Sequence, residues 1–326
     1  MTQIDDSDRL IQEVLSELGW DEDPEEIANK VRRLDKGLPL EDEFTAICSW
    51  LGKTHLVHKL DQHQAPRSSR DHFQVPDLLV QFEHASPVLI EVKSKAKPQL
   101  SFKPDYLRRL YAYAQLLKLP LLFAWKYQSV WVLFEARHLC KAKSNFNINF
   151  QDAIKENLLG ILAGDVAYAL EPGAGIRFRC KKQKLISEGQ SKDGCKISEW
   201  QLFIEEVGFM KTGGQPVDEL EPEVSALFTT WDLSEQQTHS ETHIEIHFVV
   251  ADDEEIVFGH TALTHLLNWQ LRKGDSINWR HTIRSDAIVS SVSNLQKALR
   301  VGREREVVRL VYNQEPQTWP SFLARP

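Results

Sequence analysis

The chain has 326 residues, 42% of them hydrophobic and 26% charged, with a formal net charge of −8. No stretch of roughly 18 apolar residues exists to span a membrane as a helix, and the four cysteines form no Cys-x-x-Cys pair, which argues against a zinc or redox motif. The polar, acidic start from Met1 to Asp8 lacks the basic and apolar regions of a secretory leader, so the expectation is a cytoplasmic protein with no membrane partner.

In chain order, Leu10, Ile11, Val14, Leu15 and Leu18 fall at helical spacing, and Asp23-Pro-Glu-Glu opens a second helix through about Leu34. A third runs from Leu40 to Leu51 on the stripe Leu40, Phe44, Ile47, Cys48, Leu51, and Gly52 ends it. The period then changes. Thr54–Leu60, Asp77–Phe82 and Val88–Ser94 read as strands, the last two joined as a hairpin, and 62–70 as a loop. A helix follows over Pro104–Lys118, then strands over Leu121–Tyr127 and Val130–Glu135. Beyond residue 145, Gln151–Leu170 reads as a helix, Gly173–Ile186 as a strand and Glu188–Gly194 as a loop. Glu199–Val207 and Thr242–Val250 read as strands, Thr261–Arg272 and Asp286–Leu299 as helices, and Glu306–Tyr312 as a late strand.

Charge is unevenly placed along this order. Residues 1–45 hold 14 acids against 5 Lys/Arg, and residues 92–145 hold 11 Lys/Arg against 2 acids. No Lys or Arg lies between Lys211 and Arg272, and residues 272–309 return to 9 Lys/Arg against 4 acids. The expected division is an acidic helical segment (1–38), an α/β domain (39–145) and a C-terminal α+β domain (146–326).

The segment that carries chemistry is Val75-Pro-Asp77-Leu-Leu-Val followed by Val88-Leu-Ile-Glu91-Val-Lys93. Period-two geometry puts Glu91 and Lys93 on one face of a strand, and a short hairpin can set Asp77 beside Glu91. Two carboxylates and a backbone carbonyl such as that of Val92 make an oxygen-rich site suited to Mg²⁺, with Mn²⁺ able to substitute. Lys93 would point into the same site and neutralise developing negative charge.

Carried on helix, three strands, helix, strand, the string PD…EVK resembles the PD-(D/E)XK, or restriction-endonuclease-like, nuclease superfamily over roughly residues 40–135. The resemblance implies a mixed-sheet core flanked by helices. It also implies Asp77 and Glu91 as metal ligands, Lys93 as the catalytic lysine, and metal-dependent hydrolysis of phosphodiester bonds, expected in DNA, in a restriction, repair or phage-defence setting. Such proteins often add an acid from the helix before the first strand. Of Glu41, Asp42 and Glu43, Glu43 is the favoured candidate, because Trp50 extends the apolar stripe toward it. Some branches carry Gln-x-x-x-Tyr on the following helix; Tyr111-Ala-Tyr-Ala-Gln115 departs from that order, and Gln115 is a further candidate beside a plain surface role.

The cations after the motif, Lys95, Lys97, Lys103, Arg108 and Arg109, together with Arg67 and Arg70 in the preceding loop, are candidates for phosphate contacts. The alternative is a non-catalytic nucleic-acid- or protein-binding module that keeps the fold. Double-strand cleavage would call for a homodimer, and the acidic balance for recruitment by protein partners. Elsewhere, His243, Glu245 and His247 share one strand face and read as a solvated face rather than a metal site. Asp252–Glu255 reads as an acidic turn, and Cys48 as a buried thiol.

Overall fold

The computed structural model describes residues 40–190, 196–252, 255–271 and 295–324. The helices expected within 7–34, and most of the one expected over Asp286–Leu299, lie outside these residues. Helix α1 covers 40–51 and buries Phe44, Ile47, Cys48 and Leu51 completely. Gly52, with φ of 95°, ends it in the left-handed conformation that costs glycine no steric penalty.

The main sheet contains β1 (Thr54–Lys59), β2 (Leu78–Phe82), β3 (Val88–Ser94), β5 (Leu121–Tyr127) and β6 (Val130–Glu135), in the order β1-β2-β3-β5-β6. Neighbours are antiparallel except β3 and β5, which run parallel. A parallel pair needs a crossover, and β4 (Gln99–Phe102) with helix α2 (Pro104–Leu117) supplies it. Pro104 suits the first helical turn, and Lys118 at φ 56° closes the last. Val88 to Val92 are all buried, as expected of a strand covered on both faces.

Two buried clusters flank the sheet. On one face Leu89, Phe123, Trp125 and Phe134 pack against Leu107, Leu110 and Ala114 of α2. On the other, Leu78, Val80, Ile90, Leu122 and Leu133 pack with α1 and with Leu159, Tyr168, Phe228, Leu263 and Leu299 from beyond residue 145. This second cluster is continuous across the expected boundary. It also covers the outer edge of β6, where unpaired backbone groups would otherwise lie open. Asn157 Oδ1 accepts the Leu133 N–H at 2.9 Å, and the Leu133 carbonyl accepts from Leu158 N–H at 2.7 Å. His260 Nε2 accepts the Trp131 N–H at 3.1 Å, so its proton sits on Nδ1, which faces Asp165 at 2.6 Å. The dyad is therefore a satisfied strut across the sheet edge.

The helix expected over Gln151–Leu170 is a correction. It resolves into α3 (Phe150–Lys155), α4 (Leu159–Ala163) and β9 (Val166–Leu170). The Asn157 side chain breaks the ladder by bonding to Leu133 and Leu159, and Gly164, at φ 92°, turns the chain into β9. A small sheet, β4-β8-β7, adds β7 (Cys140–Lys141) and β8 (Phe146–Asn149). β10 (Gly175–Gln190) and β11 (Lys196–Lys211) pair as a long antiparallel ribbon, so Glu188–Gln190, expected in a loop, belong to β10, and the rest of that expected loop lies outside the described residues. With β12 (Gln215–Val217), β13 (Ser234–His239) and β14 (His243–Val249) they form a second five-stranded sheet, preceding β15 (Val257–Phe258) and β16 (Val308–Asn313), which flank β9. Cys48 is a buried free thiol, and burial pushes its pKa up. His243 bonds Glu205 at 2.9 Å, while His247 faces Glu245 at 3.8 Å.

Candidate functional site

Strand register assembles the site. β2 and β3 pair with Leu78 opposite Ile90, so the next step along sets Asp77 opposite Glu91. Glu91 and Lys93 follow Leu89 on the sheet face that packs against α2. Asp77 Oδ2 accepts the Val92 N–H at 2.7 Å, which fixes the carboxylate against β3. Glu91 is 1% exposed, and its Oε1 accepts from both Lys93 Nζ and the Tyr106 hydroxyl. Lys93 Nζ also donates to the Val92 carbonyl at 3.0 Å and stands 3.9 Å from Asp77 Oδ2. Asp77, Glu91 and Val92 thus converge on one cation, the Lys93 ammonium.

Two features show that the lysine does not complete this cluster. Glu91 Oε2 is buried with no hydrogen-bond partner among the described residues, an uncommon state for a carboxylate oxygen. Burial first, and the Glu91 charge second, raise the Asp77 pKa well above the ordinary aspartate range. Burial alone would discharge Lys93, but Glu91, Asp77 and Tyr106 together outweigh it and hold the ammonium more firmly protonated than usual. Tyr106, raised by burial and by Glu91, stays a phenol and a donor. The oxygen set fits a hard divalent ion. Among the described residues no three His, Cys, Asp or Glu side chains converge to form a cage, so such an ion would keep water ligands, as Mg²⁺ commonly does.

The acid that α1 offers to this site is Glu41. Its charge acts on Asp77, and burial raises its own pKa while Lys59, 3.5 Å away, opposes the rise. Lys59 also bonds Asp42, whose carboxylate is buried beside it. Glu43, favoured on the helical wheel, lies elsewhere: Lys126 Nζ bonds both its oxygens at 2.6 and 2.7 Å, and Trp131 Nε1 donates at 2.8 Å.

The candidate cations divide into two groups. Lys95, Lys97, Lys103 and Arg67 are exposed. Arg108 and Arg109 instead tie α2 to the 3₁₀ turn Arg67–Asp71: Arg108 bonds the Asp71 carbonyl at 3.4 Å, and Arg109 bonds the Arg70 carbonyl at 2.8 Å. Gln115 is exposed, nine residues along α2 from Tyr106, about 13 Å at 1.5 Å per residue. The fold does not bring it to the cluster. Tyr106 was missed because its place on the apolar stripe of α2 reads as core.

Residues 64–163 match the family of archaeal Holliday junction resolvases, which belongs to the PD-(D/E)XK superfamily. The match covers the segment that holds Asp77, Glu91 and Lys93, and the resemblance drawn from PD…EVK holds there. Among solved structures, the Holliday junction resolvase Hjc of the archaeal hyperthermophile Archaeoglobus fulgidus is similar at 20% identity, over 36% of this chain and 85% of that one, with a TM-score of 0.29. No curated protein matches the chain. Among the described residues no helix is long and apolar enough to cross a membrane.

Proposed function

We propose that the chain is a metal-dependent endonuclease that hydrolyses phosphodiester bonds in DNA. The observation that carries this reading is the convergence of Asp77, Glu91 and the Val92 carbonyl around a single ammonium, with Glu91 Oε2 buried and unbonded to any described residue. Asp77, Glu91 and Val92 would hold Mg²⁺, with Mn²⁺ able to replace it, and Glu41 would add charge from α1. A bound divalent ion supplies Lewis-acid polarisation of the phosphate and a water of lowered pKa. Lys93 places a fixed positive charge where the phosphate gains negative charge, and the carboxylates keep that charge in place. Tyr106 holds Glu91 by its hydroxyl, which orients one carboxylate oxygen and leaves the other open. Lys95, Lys97, Lys103 and Arg67 are exposed and would anchor backbone phosphates. Arg108 and Arg109 position the loop before Asp77 through the Asp71 and Arg70 carbonyls.

The family matched over 64–163 suggests a branched substrate, and a four-way DNA junction is the first to try. One such site cuts one strand, so a paired cut would take two copies of the chain. The test is a cleavage panel of single-stranded, duplex and four-way DNA with Mg²⁺ or Mn²⁺. Products with the metal, lost in EDTA and in Asp77→Ala, support the reading. Products that persist in Asp77→Ala refute the site.

A further inference from the structure

Three lysines meet at one end of the small sheet β4-β8-β7. Phe102, the last residue of β4, pairs with Phe146, the first of β8, and Phe146 pairs with Lys141, the last of β7. Lys103 therefore follows β4 at this end, and Lys143 lies in the turn between β7 and β8. That turn is well held. Ala142 N–H donates to the Asn145 carbonyl at 2.7 Å, and Asn145 Nδ2 donates to Ser101 Oγ of β4 at 3.1 Å. All three lysines are exposed, and none is ion-paired with a described residue. No acid occurs in 98–103 or 138–149.

The same end abuts the candidate site. The Phe102 ring stacks on Tyr106 with centroids 6.2 Å apart, and Tyr106 bonds Glu91. Neighbouring strands are about 4.8 Å apart, so Lys141 stands about 10 Å from β4 across β8. That is about three steps of a duplex strand at 3.4 Å each. A groove of about 540 Å³ beside this sheet offers the contrast. Apart from Lys141, the cations lining it are paired, Arg137 with Glu135 at 2.6 Å and Lys155 with Asp152 at 3.4 Å, while the His138 ring faces Glu156 at 3.8 Å. Lys141 is thus the one lining cation with no described acid beside it, and it stands at the lysine end of the groove.

We infer that Lys103, Lys141 and Lys143 form a second phosphate-binding platform, which grips the nucleic-acid backbone a few nucleotides from the bond cleaved at the Asp77–Glu91–Lys93 site. The inference rests on the nuclease reading. It adds a contact from residues 38 to 40 positions beyond Lys103.

The test is the affinity of K141A/K143A for a fluorescent DNA duplex, measured in EDTA across a salt series, beside the parent protein and Lys155→Ala. Each lost phosphate contact lowers the slope of log K against log salt by about 0.9. The double variant should lose roughly 1.8 from that slope and bind on the order of tenfold more weakly or worse at 0.1 M salt. Lys155→Ala removes a lysine already paired with Asp152 and should keep the parent's slope. A double variant with the parent's affinity and slope overturns the platform and leaves the nuclease reading standing. A parent protein that neither binds nor cuts DNA overturns both.

Discussion

At the scale of single residues, the site is a problem of charge. Asp77 and Glu91 lie opposite each other with one lysine between them, and Glu91 is buried while Asp77 is only partly open to solvent. The raised Asp77 pKa has a definite consequence for stability. Between the ordinary aspartate value and its raised value, the folded protein holds a proton that the unfolded chain has lost. Stability without metal should therefore fall as pH rises through that window. Melting temperatures across a pH series should show the fall, and Asp77→Asn should flatten it; a slope unchanged in the variant would contradict the assignment. Tyr106 gives a second prediction. Tyr106→Phe removes a hydrogen bond to Glu91 while Lys93 still holds the same oxygen. Cleavage at saturating substrate should slow by about tenfold, the worth of a charged hydrogen bond, with KM little changed. A change in KM alone would place Tyr106 in substrate binding instead.

At the scale of elements, α1 presents two acids to two different places. Glu41 lies in the field of Asp77, while Glu43 is locked to Lys126 and Trp131. Glu41→Gln should reduce cleavage tenfold or more, at the low end of general electrostatic contributions, with little loss of stability. Glu43→Gln leaves Lys126 half-buried without its counter-ion and should cost about 3 kcal/mol in urea unfolding. Reversed outcomes would restore Glu43 to the site.

The pair also shows what the sequence can carry. Asp77, Glu91 and Lys93 were legible because strand periodicity and a short hairpin dictate which side chains are neighbours. A helical wheel gives the apolar face of α1 but not how the helix is turned against the sheet edge, so Glu41 and Glu43 could not be told apart. β9 passed for helix because Val166–Leu170 is a short apolar run without alternation, and only Gly164 marks the break. β4, β7 and β8 are too short to declare a period, and so the convergence of Lys103 and Lys141 was hidden.

At the scale of the whole molecule, the site-bearing sheet does not close its core alone. Leu122, Leu133 and Trp131 share one buried cluster with Leu159, Tyr168, Phe228 and Leu299. The free edge of β6 is bonded by Asn157 and His260. A fragment of residues 39–145 would expose that cluster and edge together. It should unfold without cooperativity, by circular dichroism against urea, where the full chain shows a transition. A cooperative fragment would instead support residue 145 as the end of an independent domain.

The central claim is that Lys93 serves a phosphodiester-cleaving site rather than a binding surface that keeps the fold. It is tested most directly by the single-turnover cleavage rate of Lys93→Ala on a saturating DNA four-way junction with Mg²⁺, beside the parent and with binding measured on the same samples. The account predicts that the variant binds the junction and cuts it about 10²–10³-fold more slowly, the usual cost of removing one preorganised charge-stabilising donor. A parent that binds without cutting, or a variant that cuts at the parent's rate, would contradict it.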